Sequence, residues 1–247
     1  MKTKRAPSPH LRQLFLEWYH ATTLGQILQT IEASYLQACI NPTFNQRILQ
    51  VGRLGCENLY IDETNIHNFV LVNTEPRGEP YAKHVITASP DALPVATASI
   101  DILLLPHVID FEANRHQVLH EVERVLKPNG RLFILGLNPW SVRGILQYLS
   151  RRSPFWRLNF ISSYRLLDWL SLLKFDAEYS AAFNLASSKV IRNPNSFFSK
   201  SRAYLSFAFG IKAIKRTYTL IPIEPKWIGT PDLVPGHMFE TLKQETQ

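Results

Sequence analysis

The chain has 247 residues, 45% of them hydrophobic and 19% charged, with a formal net charge of +7. That is enough apolar material for one large α/β domain or two small ones, and too much for a disordered chain. No stretch reaches the ~18 uninterrupted apolar residues of a membrane span.

The basic start "MKTKRAPSPHLRQLF" leads into no apolar export core, so a cytoplasmic protein is expected. From Leu11 to Ile40 apolar residues recur at helical spacing, which predicts two helices broken near "ATTLGQ". Asn41 before Pro42 disfavours helix and opens a loop. Strands and helices then alternate: "RILQVG", "NFVLVN" and "HVITA" read as strands, and "IDILLLP" as a strand covered on both faces. "ANRHQVLHEVERVLK" is a helix with the stripe Val118, Leu119, Val122, Val125 and Leu126, stopped by "KPNG" with Gly130 suited to a left-handed position. "RLFILGL" is the fifth strand. Asn138 and Pro139 suit a cap and first turn, and "SSYRLLDWLSLLKF" is a further helix. "DAEYSAAF" and "YLSFAFGIKAI" close the sheet as a pair separated by an insertion. Such alternation argues for a mostly parallel sheet with helices on both faces.

Two cysteines, Cys39 and Cys56, make neither a disulfide framework nor a metal cluster. His116 and His120 lie four apart on one helix, but no third ligand has a recognisable spacing, so no metal is expected. The positive charge suits ordinary solubility and also RNA or an anionic surface, with Lys200, Arg202, Lys212, Lys215 and Arg216 as the candidate contacts.

The segment from Ser89 to Ser141 carries Asp91, Leu93-Pro94, Ile100-Asp101, Arg124-Val125-Leu126 and Lys127-Pro128-Asn129-Gly130. In this order and spacing it resembles the central signature of class I S-adenosylmethionine-dependent methyltransferases, closest to their small-molecule type-11-like branch. Pro106-His107-Val108 and "LNPWS" resemble an uncharacterised bacterial subgroup of it. The resemblance spans about Arg47 to Phe175. It implies a Rossmann-like, doubly wound α/β sheet of seven strands with the last antiparallel, and cofactor and substrate at the carboxyl ends of the strands. The expected organisation is a helical extension or lid over 1–46, a methyltransferase core over 47–220 and a tail over 221–247.

The resemblance also implies site residues. After the first strand the family places an acid two residues before the first glycine, then alternate glycines. This chain has Gln50, Gly52, Leu54, Gly55 and Cys56. Gln50 cannot pair with the cofactor's ammonium, and losing a charge-assisted bond costs about 1–2 kcal/mol, roughly tenfold in affinity. S-adenosylmethionine carries no phosphate, so a missing glycine weighs less here than in a dinucleotide site. The cofactor's carboxylate is expected at the amino terminus of a helix after the turn. Asn73 stands where the family has a ribose-binding acid, with Glu75 two residues on as its substitute or as a solvated loop charge. Asp91, displaced by two from the strict position Ser89, is the candidate near adenine, with Leu93 packing on the ring or in the core. Leu105 and Pro106 fall beside the cofactor. His107 faces the substrate, as a general base or as a structural histidine. Trp18, Tyr19 and Ser153 to Tyr164 are candidates for a lid over the acceptor, and Asn138 and Trp140 for the substrate opening.

The implied function is methyl transfer from S-adenosylmethionine to a small-molecule acceptor. The alternative is a methyltransferase-like binding module that has lost the donor, since Gln50, Leu54, Asn73 and Ser89 stand where the pattern wants acid or glycine.

Overall fold

The computed structural model describes residues 9–40, 45–73, 82–142, 145–146, 160–185, 189–192 and 206–216. Helices α1 (Pro9–Ala21) and α2 (Thr23–Ile40) come first. The break between them has a local cause: the Thr22 hydroxyl accepts the Gly25 amide at 3.0 Å and so caps α2.

Strands β1 (Ile48–Val51), β2 (Phe69–Asn73), β3 (His84–Thr87), β4 (Ile100–Pro106) and β5 (Leu126–Leu137) all pair in parallel, in the order β3-β2-β1-β4-β5. Beyond β5 lies β8 (Ala208–Lys215), antiparallel to it, then β6 (Phe175–Asn184) and β7 (Lys189–Arg192). The seven strands expected from the sequence are therefore present with β8 reversed, and the insertion after β6 adds a four-residue eighth strand at the edge.

Side chains along the strands alternate between two apolar layers, as the period of two requires. Ile48, Ile102, Leu104, Phe133 and Leu135 face a layer built with Phe15, Tyr19, Leu28 and Leu36 of α1 and α2. Leu49, Val51, Leu103, Leu105 and Leu132 face a second layer with Val108 and Ile109 of the short α3 (Val108–Phe111), α4 (Arg115–Val125) and α5 (Ser163–Leu172). Parallel neighbours are usually joined by a crossover helix. Between β1 and β2 there are only two three-residue 3₁₀ turns, Glu57–Leu59 and Ile66–Asn68. The first layer is supplied instead by α1 and α2, which pack into the same compact unit as the sheet.

Two local expectations change. The helix amino terminus that was to receive a carboxylate after the glycine turn is only the single 3₁₀ turn Glu57–Leu59, too short to carry an end dipole. In "KPNG" the left-handed residue is Asn129 (φ 60°), not Gly130, because asparagine tolerates that region. Gly130 is needed for a different reason: a Cβ there would lie 2.9 Å from the Lys127 carbonyl oxygen.

Candidate active site at the carboxyl edge of the sheet

Strand β1 ends in a turn whose geometry depends on two glycines. Gly52 (φ 86°) donates its amide to the Val72 carbonyl at 2.8 Å, and Gly55 (φ 87°) reverses the chain again. Only glycine adopts such angles without strain. Helix α1 lies across this turn. Arg12 Nη2 donates to the Arg53 carbonyl at 2.8 Å, and His20 Nε2 lies 2.7 Å from the Leu54 carbonyl. A Cβ on Gly52 would lie 2.5 Å from Val108 Cγ2 and 3.0 Å from Arg12 Nη2, and one on Gly55 would lie 3.0 Å from His20 Nε2. The cradle is formed, and α1 covers it. Leu54 and Cys56 are buried in the layer shared with Phe15 and Tyr19 of that same helix. Burial, with the nearby Glu57 carboxylate, pushes the Cys56 thiol up to about 12, so it is not a nucleophile.

Gln50 is fully buried and committed. Its Nε2 donates to the Gly52 carbonyl and to Glu57 Oε1, each at 3.0 Å, and its Oε1 accepts from the Tyr60 hydroxyl at 2.7 Å. Glu57 itself is missing from the sequence-derived set. Its Oε1 accepts from the Leu54 amide at 2.7 Å and the Gly55 amide at 3.0 Å, and Oε2 from the Gly55 amide at 3.1 Å. The signal for it was present: an acid two residues beyond the second glycine, where a turn can fold it back.

Along the rest of the edge, Asn73 ends β2 in a buried position, with its carbonyl accepting from the Ala88 amide at 3.0 Å. Glu75 lies outside the described residues. Asp91 accepts from Ser89 and from Asn114 Nδ2, and those two bonds hold its carboxyl below the usual range. Together they tie the loop after β3 to the start of α4. Leu93 is a core residue of the second layer, and Glu121 and Arg124 grip its backbone. Leu105 and Pro106 are buried at the end of β4.

His107 leaves β4 in a left-handed conformation (φ 54°) with 1% of its surface exposed. Its Nε2 lies 3.0 Å from Glu32 Oε1 and its Nδ1 3.3 Å from Asp110 Oδ2. Tyr19 donates to Glu32 Oε2 at 2.8 Å, and Asp110 Oδ2 accepts the Leu137 amide at 2.9 Å. The Phe15 ring sits 4.9 Å from the imidazole and 5.2 Å from Phe111. Burial alone would lower the His107 pKa, but Glu32 and Asp110 outweigh it and raise it to about 9. The ring is an imidazolium at neutral pH with both nitrogens engaged. That fits a latch between α2 and the β4 elbow, and not a free base.

Of the lid candidates, Tyr19 is buried in this network and Trp18 stacks on Phe207 at 5.5 Å. Residues 153–159 lie outside the described set. Asn138 caps the turn after β5 through the Trp140 amide at 3.1 Å, and Trp140 stands 68% exposed beside it. His116 and His120 are both exposed, His116 packs on Trp169 at 3.9 Å, and no group of three metal-ligating side chains occurs among the described residues. Among those residues, too, no helix is long and apolar enough to cross a membrane. Three of the basic candidates face carboxylates: Lys212 Glu178, Lys215 Glu123 and Arg216 Asp176. Lys200 and Arg202 lie outside the described residues, as does the tail from 221.

Residues 56–134 match a family described as "Methyltransferase domain". The match begins immediately after Gly55, so both turn glycines lie outside it. The uncharacterized protein YafS of Escherichia coli is 31% identical over 161 residues, 61% of this chain, and the chain spans 62% of that relative's length. Among solved structures, an S-adenosylmethionine-dependent methyltransferase of Thermotoga maritima superposes with a TM-score of 0.63 at 18% identity, covering 84% of this chain and all of that one. Another from Archaeoglobus fulgidus gives 0.55 at 13% identity over 82% of this chain and 99% of its own. Residues 56–134 thus resemble the methyltransferase-domain family, and the chain around them has the fold of class I S-adenosylmethionine-dependent methyltransferases.

Proposed function

We propose that the protein transfers a methyl group from S-adenosylmethionine to a small-molecule acceptor at the carboxyl edge of the sheet. The observation that carries this reading is topological. The strand order reverses between β1 and β4, and open parallel sheets bind ligands at such a switch point. The turn with left-handed Gly52 and Gly55, the end of β2 at Asn73, and the elbow Pro106-His107 all converge on it.

The donor's sulfonium supplies the reactive methyl, so the chain's task is to bind, align and exclude water. Asn73 offers its amide to the ribose hydroxyls, with Glu75 as the acid next along the chain. Gly52 and Gly55 let the backbone approach the donor, and Leu105 and Pro106 form the apolar floor. Asp91 shapes the loop after β3, and Leu93 supports that loop from the core. His107 acts by positioning: its ion pairs fix the elbow against α2. Helix α1 closes over the turn, and Trp140 borders the acceptor's entrance.

Calorimetric titration with S-adenosylhomocysteine tests the reading, and binding in the micromolar range is expected. Absence of heat at millimolar ligand would favour the alternative, a binding module that no longer takes the donor. The coverage of Gly52 by Arg12 and Val108 is what favours that second reading. If Trp18→Ala and Tyr19→Ala left both donor affinity and turnover unchanged, the lid role would be wrong.

A further inference from the structure

We infer that the glycine turn grips the donor's ammonium through Glu57 and has no place for the donor's carboxylate. This rests on the methyl-transfer reading above. A turn of this kind presents successive backbone amides as a seat for an anion. Here the seat is taken from within the chain, because the Leu54 and Gly55 amides both point at the Glu57 carboxylate at 2.7–3.1 Å. A second carboxylate at the same amides would meet a like charge.

The occupying carboxylate is itself the complement of a cation. Glu57 is 2% exposed, and no Lys, Arg or His forms an ion pair with it among the described residues. Its three donors are neutral: two backbone amides and Gln50 Nε2. Oε2 carries a single hydrogen bond, from Gly55, and so keeps acceptor capacity. A buried carboxylate without a counter-charge is costly, and an arriving ammonium removes that cost. The acid also sits where one is needed. Gln50 occupies the position at which the family places its acid, and Glu57 lies one hydrogen bond, 3.0 Å, from the Gln50 amide. The charge missing at residue 50 is thus restored from residue 57, with Tyr60 holding Gln50 to it.

The test compares three ligands on the full chain by calorimetry: S-adenosylhomocysteine, its decarboxylated analogue that keeps the amine, and its deaminated analogue that keeps the acid. The first two are expected to bind within about threefold of each other, and the deaminated ligand at least about tenfold more weakly. Glu57→Gln should remove that preference while sparing the deaminated ligand. Equal binding of the deaminated ligand, or a tenfold loss for the decarboxylated one, would overturn the assignment even if the Gln variant failed to fold. Binding of none of the three would instead remove the methyl-transfer reading itself.

Discussion

His107 holds a left-handed backbone (φ 54°) without being glycine, a strain of about 1–3 kcal/mol that its surroundings must offset. They do so with Glu32 and Asp110 on its two nitrogens. Because its folded pKa is raised from 6.5 to about 9, its stabilising contribution is complete below pH 6.5 and lost as pH rises to about 9. Urea denaturation of the wild type should therefore show falling stability across that window, and His107→Gln should flatten the decline. The same variant leaves two buried carboxylates unpaired and should cost about 3–5 kcal/mol at neutral pH. Sequence alone offered His107 as either a base or a structural residue. Its partner Glu32 lies 75 positions away on α2, and no local pattern reveals such a pairing. Glu57 escaped notice for the opposite reason. It is close in sequence, but a surface acid is the commoner fate of a glutamate, and only the fold of the turn shows it buried.

The elements themselves were legible, because hydrophobic period, caps and turn residues are local signals. β4 reads as an unbroken apolar run, α4 carries its stripe, and the two amino-terminal helices part at a threonine cap. What spacing could not show was where α1 would lie. Its docking rests on Phe15 packed against His107 and Phe111, with Arg12 and His20 holding the turn. Phe15→Ala should cost about 3–5 kcal/mol by thermal or chemical denaturation. Because α1 covers the cradle, the proposed donor site requires α1 to shift for entry. Stopped-flow association of S-adenosylhomocysteine should be slower than the ordinary ~10⁵–10⁷ M⁻¹s⁻¹, and Arg12→Ala with His20→Ala should speed it. Gly52→Ala should destabilise the turn on two counts, the positive φ and the 2.5 Å approach to Val108. Adding Val108→Ala should recover only the second.

At the scale of the whole molecule, a ligand that binds only the folded chain stabilises it by mass action. S-adenosylhomocysteine at a hundred times its Kd should add about 2.7 kcal/mol, or roughly 5–11 °C in Tm, measurable by differential scanning fluorimetry. The doubly wound plan was legible from alternation, yet one of its layers arises unusually, since no α-helix joins β1 to β2 and α1 and α2 stand in for it. That substitution has a practical corollary. A shortened fragment starting at Arg47 would bare Phe69, Leu71, Ile102, Leu104 and Phe133 to water, and it should come out of expression as aggregate rather than as a minimal enzyme. Helices α1 and α2, easily trimmed as an appendage, close one of the protein's two apolar layers.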